Sequence, residues 1–369
     1  MRMSPGRAMA ITAVPLLLVA IGAGSAAAQP TSGNPPPPKV FEAQSASFVT
    51  ASTGFVLGTR HCSRLPCKAL LETTVNGGKT WASVPAPAVK LVPAFTSSPS
   101  SAVSSVRFAS AADGWLFGPS LWATTNGGKR WQRQSLPGDV IALAAADGVA
   151  FAVTEPSNGS INAARLYKSQ VGSSKWTRVP GVSPANALTV FGHSVWAGIA
   201  PKLWTSTDNG KHWTKLSFHC PSSAIDATAV AAASTANVAI ACSDASFPQP
   251  GESIKKVYAS ANGGHTFHLV GQPPEGGNVG VVAMPPGRPR VITLTATSGA
   301  SFLYRSANGG KAWQTTTFFD GGLGFRDEAY VSATTGYLIH FEGSPVIAYS
   351  KGLLKTADAG LHWKKVTIP

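Results

Sequence analysis

Charged side chains are scarce in this sequence: Asp, Glu, Lys and Arg make up 12% of its 369 residues, against roughly 25% in an ordinary globular domain. Cysteine is scarce too. There are four, and Cys62 and Cys67, with His61 beside them, have no second compact Cys/His pair to complete a zinc site. The eight histidines form no paired ligand motif, so no metal and no cofactor is expected. No strand–glycine-loop–helix cradle for phosphate occurs. After residue 28 no stretch approaches the ~20 uninterrupted apolar residues of a membrane span.

The first 28 residues read as a signal peptide. Arg2 and Arg7 precede the apolar run Ala8 to Ile21, and Ala26-Ala27-Ala28 before Gln29 satisfies the small-x-small cleavage rule. No Cys follows the run, which argues against a lipid anchor, and no twin-Arg pair occurs, which favours the general export route. Residues 29–39 form a Pro-rich linker, stiffened by Pro35 to Pro38, and residues 40–369 form the domain. The mature chain is therefore expected to be secreted or held at the cell envelope, outside the cytoplasm. An oxidising destination suits two near-neighbour disulfides, Cys62–Cys67 and Cys220–Cys242.

What is abundant is turn formers and small strand formers. With 44% hydrophobic residues, 38 Gly and 28 Pro, and many Val, Thr, Ser and Ala, the chain is expected to be built from many short strands. An octapeptide, Ser/Thr-x-Asp/Asn-x-Gly-x-x-Trp/Phe, recurs through it. It runs Thr74–Trp81, Thr124–Trp131, Ser206–Trp213, Ser260–Phe267, Ser306–Trp313 and Thr356–Trp363, with an eroded copy at Ser169–Trp176 that keeps Ser169, Gly172 and Trp176. Successive copies start 37 to 54 residues apart, near the ~40–50 of one propeller blade.

Each position has a physical task. The Asp or Asn accepts backbone N–H groups ahead of it and closes an Asx-type turn. Gly supplies the positive φ of a tight reversal between antiparallel strands. The aromatic ring then anchors the following strand by burial. We call this unit a staple. Upstream of each staple lie two apolar stretches and a third strand. In the second unit these are Ser105–Phe108, Gly114–Gly118 and Leu121–Thr124, followed by Trp131–Leu136. Four strands in each of seven units predict an all-β, seven-bladed β-propeller with four-stranded antiparallel blades.

The octapeptide resembles the Asp-box of bacterial neuraminidase repeats. The longer unit, Gly-Trp-Leu-Phe-Gly followed by Leu-Trp-x-Thr-x-Asn-Gly-Gly-x-x-Trp, is similar to the photosystem II assembly and stability factor family. The resemblance covers residues 40 to 369 and implies the propeller fold. Asp-box propellers include sialidases, xyloglucanases, receptors and assembly factors, so fold alone does not choose a function.

Net charge is +14, falling to +12 once Arg2 and Arg7 leave with the leader. The expected partner is acidic: a protein, a wall polyanion or an anionic membrane surface. Nucleic acid is not expected for an exported chain, and the chain is expected to be a monomer. Lys79, Lys129, Arg130, Lys211 and Lys311 fall in staple turns and should ring one face. The long loops on the other face, those joining second to third strands and those entering the inner strand, carry Arg60, His61, Arg64, Lys68, Lys90, Arg165, Lys255, Lys256 and Arg326. These nine are the candidate binding residues. A Cys62–Cys67 bridge would stiffen the most basic of the loops.

The alternative is an exo-sialidase or related secreted glycoside hydrolase. The resemblance would then imply an arginine triad, a Tyr–Glu nucleophile pair and an Asp acid/base, but the early Arg-Ile-Pro signature is absent. Tyr330 beside Glu328 and Asp327 is the one local cluster with suitable chemistry. Tyr167, Tyr258 and Tyr304 fall on a repeated third-strand position, which marks them as structural. No catalytic residue is assigned.

Overall fold

The computed structural model describes residues 41–60, 67–92, 101–156, 163–183, 187–199, 202–218, 220, 229–243, 250–344 and 347–369. The residues expected to form a signal peptide and linker, and the loop with His61, Cys62 and Arg64, lie outside the described residues. Seven four-stranded antiparallel sheets follow one another along the chain, each paired in sequence order from inner to outer strand. They form a seven-bladed β-propeller. The inner strands are Glu42–Phe48, Ser105–Phe108, Asp139–Ala146, Leu188–Phe191, Ala229–Ala232, Asn278–Ala283 and Gly322–Tyr330. Second strands, such as Gly54–Thr59 with burial at every position and Val238–Ser243 likewise, are covered on both faces and form the core of each blade.

The staples sit between third and outer strands, and their hydrogen bonds recur from blade to blade. In blade 1 the Thr74 hydroxyl accepts the Gly78 N–H at 3.0 Å and Asn76 Oδ1 accepts the Thr80 N–H at 2.9 Å. In blade 4 Ser206 accepts from Gly210 at 2.9 Å and Asp208 from His212 at 2.9 Å. The two residues after the Asn or Asp are both left-handed, as at Gly77 (φ 70°) and Gly78 (φ 88°), which is why glycine dominates there. Asn209 and Ala359 hold the first of these positions in blades 4 and 7 with φ of 57° and 58°.

Staple rings join neighbouring blades. Trp131 of blade 2 packs with Leu71 and Val84 of blade 1, donates its indole N–H to Pro85 O at 2.9 Å and meets Phe108 edge-on. Phe108 itself stacks on Phe55 of blade 1. Trp213 lies with blade 3 residues, Phe267 with blade 4 and Trp313 with blade 5. Third-strand cations add a second link to the next staple: Lys168 to Gly210 O at 2.8 Å, Arg305 to Ala359 O at 2.8 Å and Lys355 to Gly77 O at 3.0 Å.

Since each blade is a run of consecutive strands, no strand is exchanged where blade 7 meets blade 1. Side chains close that seam. Phe41, Ala43, Ala46 and Val56 pack with Tyr337, Ile339, Leu353 and Ile368, and Phe48 stacks on Tyr337 with centroids 3.4 Å apart. Near the axis, Asp327 of blade 7 accepts the Ala46 N–H at 3.0 Å and the Ser45 hydroxyl at 2.5 Å in blade 1. Its other oxygen lies 3.4 Å from Arg107 of blade 2. One carboxylate thus ties three blades, and its backbone pays for the position with a φ of 52°.

Candidate functional site

Blade register separates the molecule into a staple face and an opposite loop face. On the loop face a two-stranded ribbon, Cys67–Lys68 with Lys90–Leu91, stands beside blade 1. Lys68 and Lys90 are direct cross-strand partners, and both are exposed. Neither has a carboxylate partner among the described residues. Like charges in this register repel. Cys67 is disulfide-bonded; its expected partner, Cys62, lies outside the described residues, as do His61 and Arg64. The other expected bridge, Cys220–Cys242, is present with Cα atoms 5.8 Å apart.

The remaining candidates divide sharply. Arg60 leaves the second strand of blade 1 towards the ribbon, but its guanidinium is 2.8 Å from Glu72, a buried carboxylate that also accepts from Ser83. Arg60 further donates to Pro369 O and lies 5.1 Å above the Phe41 ring. Arg165 is exposed at the start of the third strand of blade 3. Lys256 is half-buried at the matching place in blade 5.

Lys255 does not face solvent. It is fully buried, and its ammonium donates to the carbonyls of Ser253, Glu275 and Gly277 at 2.7–2.8 Å. Burial pushes its pKa down to about 8, against the favourable pull of Glu275 and Glu252. This lysine fastens blade 5 to the link that enters blade 6. Arg326 lies midway along the inner strand of blade 7, away from the loop tips. Burial is the main influence lowering its pKa, with Asp327 opposing and Arg107 reinforcing the change. The structure therefore brings Lys68 and Lys90 together, places Arg165 on another blade, and uses Arg60 and Lys255 internally.

Lys79, Lys129, Arg130, Lys211 and Lys311, in the staple turns of blades 1, 2, 4 and 6, are all exposed. The inner strands of blades 4 to 7, with Arg107, Asp327, Glu328 and Tyr330, wall a cavity of about 510 Å³. Glu328 is buried, accepts the Thr293 hydroxyl at 2.5 Å and has no partner for its second oxygen among the described residues. Burial raises its pKa to about 8. Tyr330 donates to Thr293 at 3.3 Å, and burial raises its pKa well above the ordinary value.

Tyr330 ends its inner strand opposite Gly336, as Phe48 does opposite Gly54 and Phe108 opposite Gly114. Like Phe48 and Phe108, it lies against its own blade's staple indole, 6.3 Å from Trp363. A repeated wedge position accounts for it. Among the described residues no three His, Cys, Asp or Glu side chains gather as a metal-binding group.

Sequence reasoning missed one further place. Between blades 2 and 3, on the staple face, a cleft of about 280 Å³ is lined by Trp115, Arg130, Trp131, Gln132, Gln134 and Gly172 among others. It lies where the staple of blade 3 is eroded, and the loss of Asn or Asp from that copy was the signal for it.

No family model matches the chain, and no curated protein matches it in sequence. Solved structures do. The fold is similar to YCF48 from Cyanidioschyzon merolae, with a TM-score of 0.57 and 18% identity over 87% of this chain and 96% of that one. A structure of YCF48 bound to D1 peptide superposes with a TM-score of 0.54 and 19% identity over 87% and 93% of the two chains. The GH74 xyloglucanase from Xanthomonas campestris gives 0.56 and 12% identity over 89% of this chain but 54% of that one. At these identities the likeness is one of fold.

Proposed function

We propose that the chain is an exported, non-catalytic propeller that binds an acidic segment of a partner protein on its loop face, centred on the ribbon of blade 1. One observation carries this reading: Lys68 and Lys90 stand opposite each other, exposed and without carboxylate partners among the described residues. Repulsion between directly opposed lysines is relieved when an anion lies across them. The disulfide at Cys67 restrains the ribbon, which lowers the ordering cost on binding. Two further facts support the reading. The chain carries net charge +14, and a propeller of similar fold has been solved with a peptide bound.

The test uses the mature chain and poly-glutamate as the acidic probe, by calorimetry over a range of salt. A Lys68→Glu/Lys90→Glu variant is expected to bind at least about tenfold more weakly and with a shallower salt dependence. A Lys129→Glu/Lys211→Glu variant, altered on the staple face, is expected to bind as the parent does. If the staple-face variant loses affinity and the ribbon variant does not, the reading is overturned.

A further inference from the structure

Four of the six intact staples carry Asn where the other two carry Asp208 and Asp358. In all four the Asn precedes Gly: Asn76–Gly77, Asn126–Gly127, Asn262–Gly263 and Asn308–Gly309. This dipeptide is the one most prone to attack by the following backbone nitrogen on the side-chain amide, because glycine has no side chain to obstruct the approach. The fold sets that nitrogen to another use. Each of these glycine N–H groups donates to a carbonyl of the loop between the first and second strands: Gly77 to Ser52 at 2.7 Å, and Gly127 to Ala112, Gly263 to Ala236 and Gly309 to Arg290, each at 2.8 Å. The attacked amide is held as well. Oδ1 of Asn76, Asn126, Asn262 and Asn308 accepts the N–H four residues on, at 2.8–2.9 Å. In two staples Nδ2 also donates to a threonine hydroxyl, Asn76 to Thr80 and Asn262 to Thr266.

We propose that these four Asn–Gly pairs are latent deamidation sites, kept unreactive by the closed blade and open to conversion only when a staple comes apart. In the reaction the glycine nitrogen loses its proton and bonds to the Asn Cγ. The Cγ–Nδ2 bond breaks and ammonia leaves, giving a five-membered succinimide. Water then opens either ring carbonyl, yielding Asp or isoaspartate; no oxidant or reductant takes part.

The two products differ in consequence. Asp fits the turn, since Asp208 and Asp358 make the same bonds to the N–H four residues on at 2.9 Å. Isoaspartate inserts a methylene into the main chain, which carries the glycine N–H away from its loop carbonyl. Such a staple cannot re-form. Each opening therefore leaves a chance of permanent damage at the blade concerned.

Peptide mass mapping of the full chain in mildly alkaline buffer, with and without urea, tests this. Conversion at the four sites is expected to be at least about tenfold slower in the folded chain than in urea. A Thr74→Ala variant, which loses the hydroxyl that caps Gly78, is expected to convert Asn76 several-fold faster while Asn262 and Asn308 keep the parent rate. An Asn76→Asp variant should keep the parent melting temperature. Equal rates in folded and unfolded chains, or a Thr74→Ala variant whose Asn76 is no faster, would overturn the proposal.

Discussion

Blade 3 and blade 4 are neighbours built on the same four-strand plan, yet their outer turns are held by different bonds. In blade 4 the Ser206 hydroxyl and the Asp208 carboxylate gather the turn N–H groups. In blade 3 the Ser169 hydroxyl donates to Gln170 O, and Val171 takes up the loop carbonyl of Gly148. Its outer strand is cut to Thr177–Arg178. Trp176 stays in place by donating to Gln134 Oε1 of blade 2 at 2.7 Å.

The difference reaches across the seam. Trp196 of blade 4 donates its indole N–H to Gly263 O in the staple of blade 5 at 2.9 Å. Trp115 holds the same register position in blade 2, opposite the residue before its staple hydroxyl. Facing the altered staple of blade 3, its buried N–H has no acceptor among the described residues, and the 280 Å³ cleft lies there. The blade survives loss of the Asx cap because its strands and ring anchor remain. Fit at the seam does not.

Loss of a staple ring should cost more than loss of any other part of the turn. Trp131→Ala removes a half-buried indole, its bond to Pro85 and its edge contact with Phe108, and is expected to destabilise by about 2–4 kcal/mol in urea unfolding. Trp176→Ala is expected to cost about half as much; equal losses would show that the altered turn is as well anchored as an intact one. Removing the hydroxyls comes next. Thr124→Ala should cost about 1–2 kcal/mol, as loss of a capping hydroxyl does, and Ser169→Ala less than about 0.5 kcal/mol.

The seam donors sharpen the contrast further. Trp196→Phe deletes a satisfied donor and leaves Gly263 O without it, so a loss of about 1 kcal/mol is expected. Trp115→Phe deletes a donor that has no acceptor among the described residues and should be neutral or slightly stabilising. A cost at Trp115 equal to that at Trp196 would mean an acceptor is supplied in solution.

Acid separates intact staples from one another, with the smallest effect. Bonds from His212 hold Asp208 well below the usual carboxylate range, and bonds from His362 and Thr356 bring Asp358 to about 2. A folded pKa below the unfolded one contributes stability that is present above the ordinary carboxylate value and fades as pH falls towards the folded value. Protection from hydrogen exchange, taken relative to the intrinsic rate at each pH, should therefore fall at the staples of blades 4 and 7 as pH drops below about 4. The Asn-bearing staples of blades 1, 2, 5 and 6 have no such group and should show no corresponding step.

The fold was legible because its punctuation is local. A hydroxyl, an amide or acid, a glycine and an aromatic ring within eight residues define a turn, and their spacing counts the blades. Even Trp176 marked blade 3 after its acid had gone. The candidate site was legible only in part. Lys68 and Lys90 follow from loop position alone. Lys255 looked like a loop-face cation because its enclosure is built by Glu275 and Gly277, from the link into the next blade. Arg60 is held by Glu72, a partner that only strand register can reveal. The Asp327 tie to Ser45 spans 282 residues, and no local pattern encodes it.

Closure of the ring without strand exchange makes the seam between blades 7 and 1 like every other seam in its backbone pairing. Phe41 and Pro369 both touch Arg60, so a short bridge could join them. Circular permutants opened at other links between blades should then rebuild the same molecule, since every blade keeps its four strands wherever the chain begins. A propeller that sewed its ends into one shared sheet would not tolerate such re-cutting so evenly. Here the order of the blades specifies the assembly.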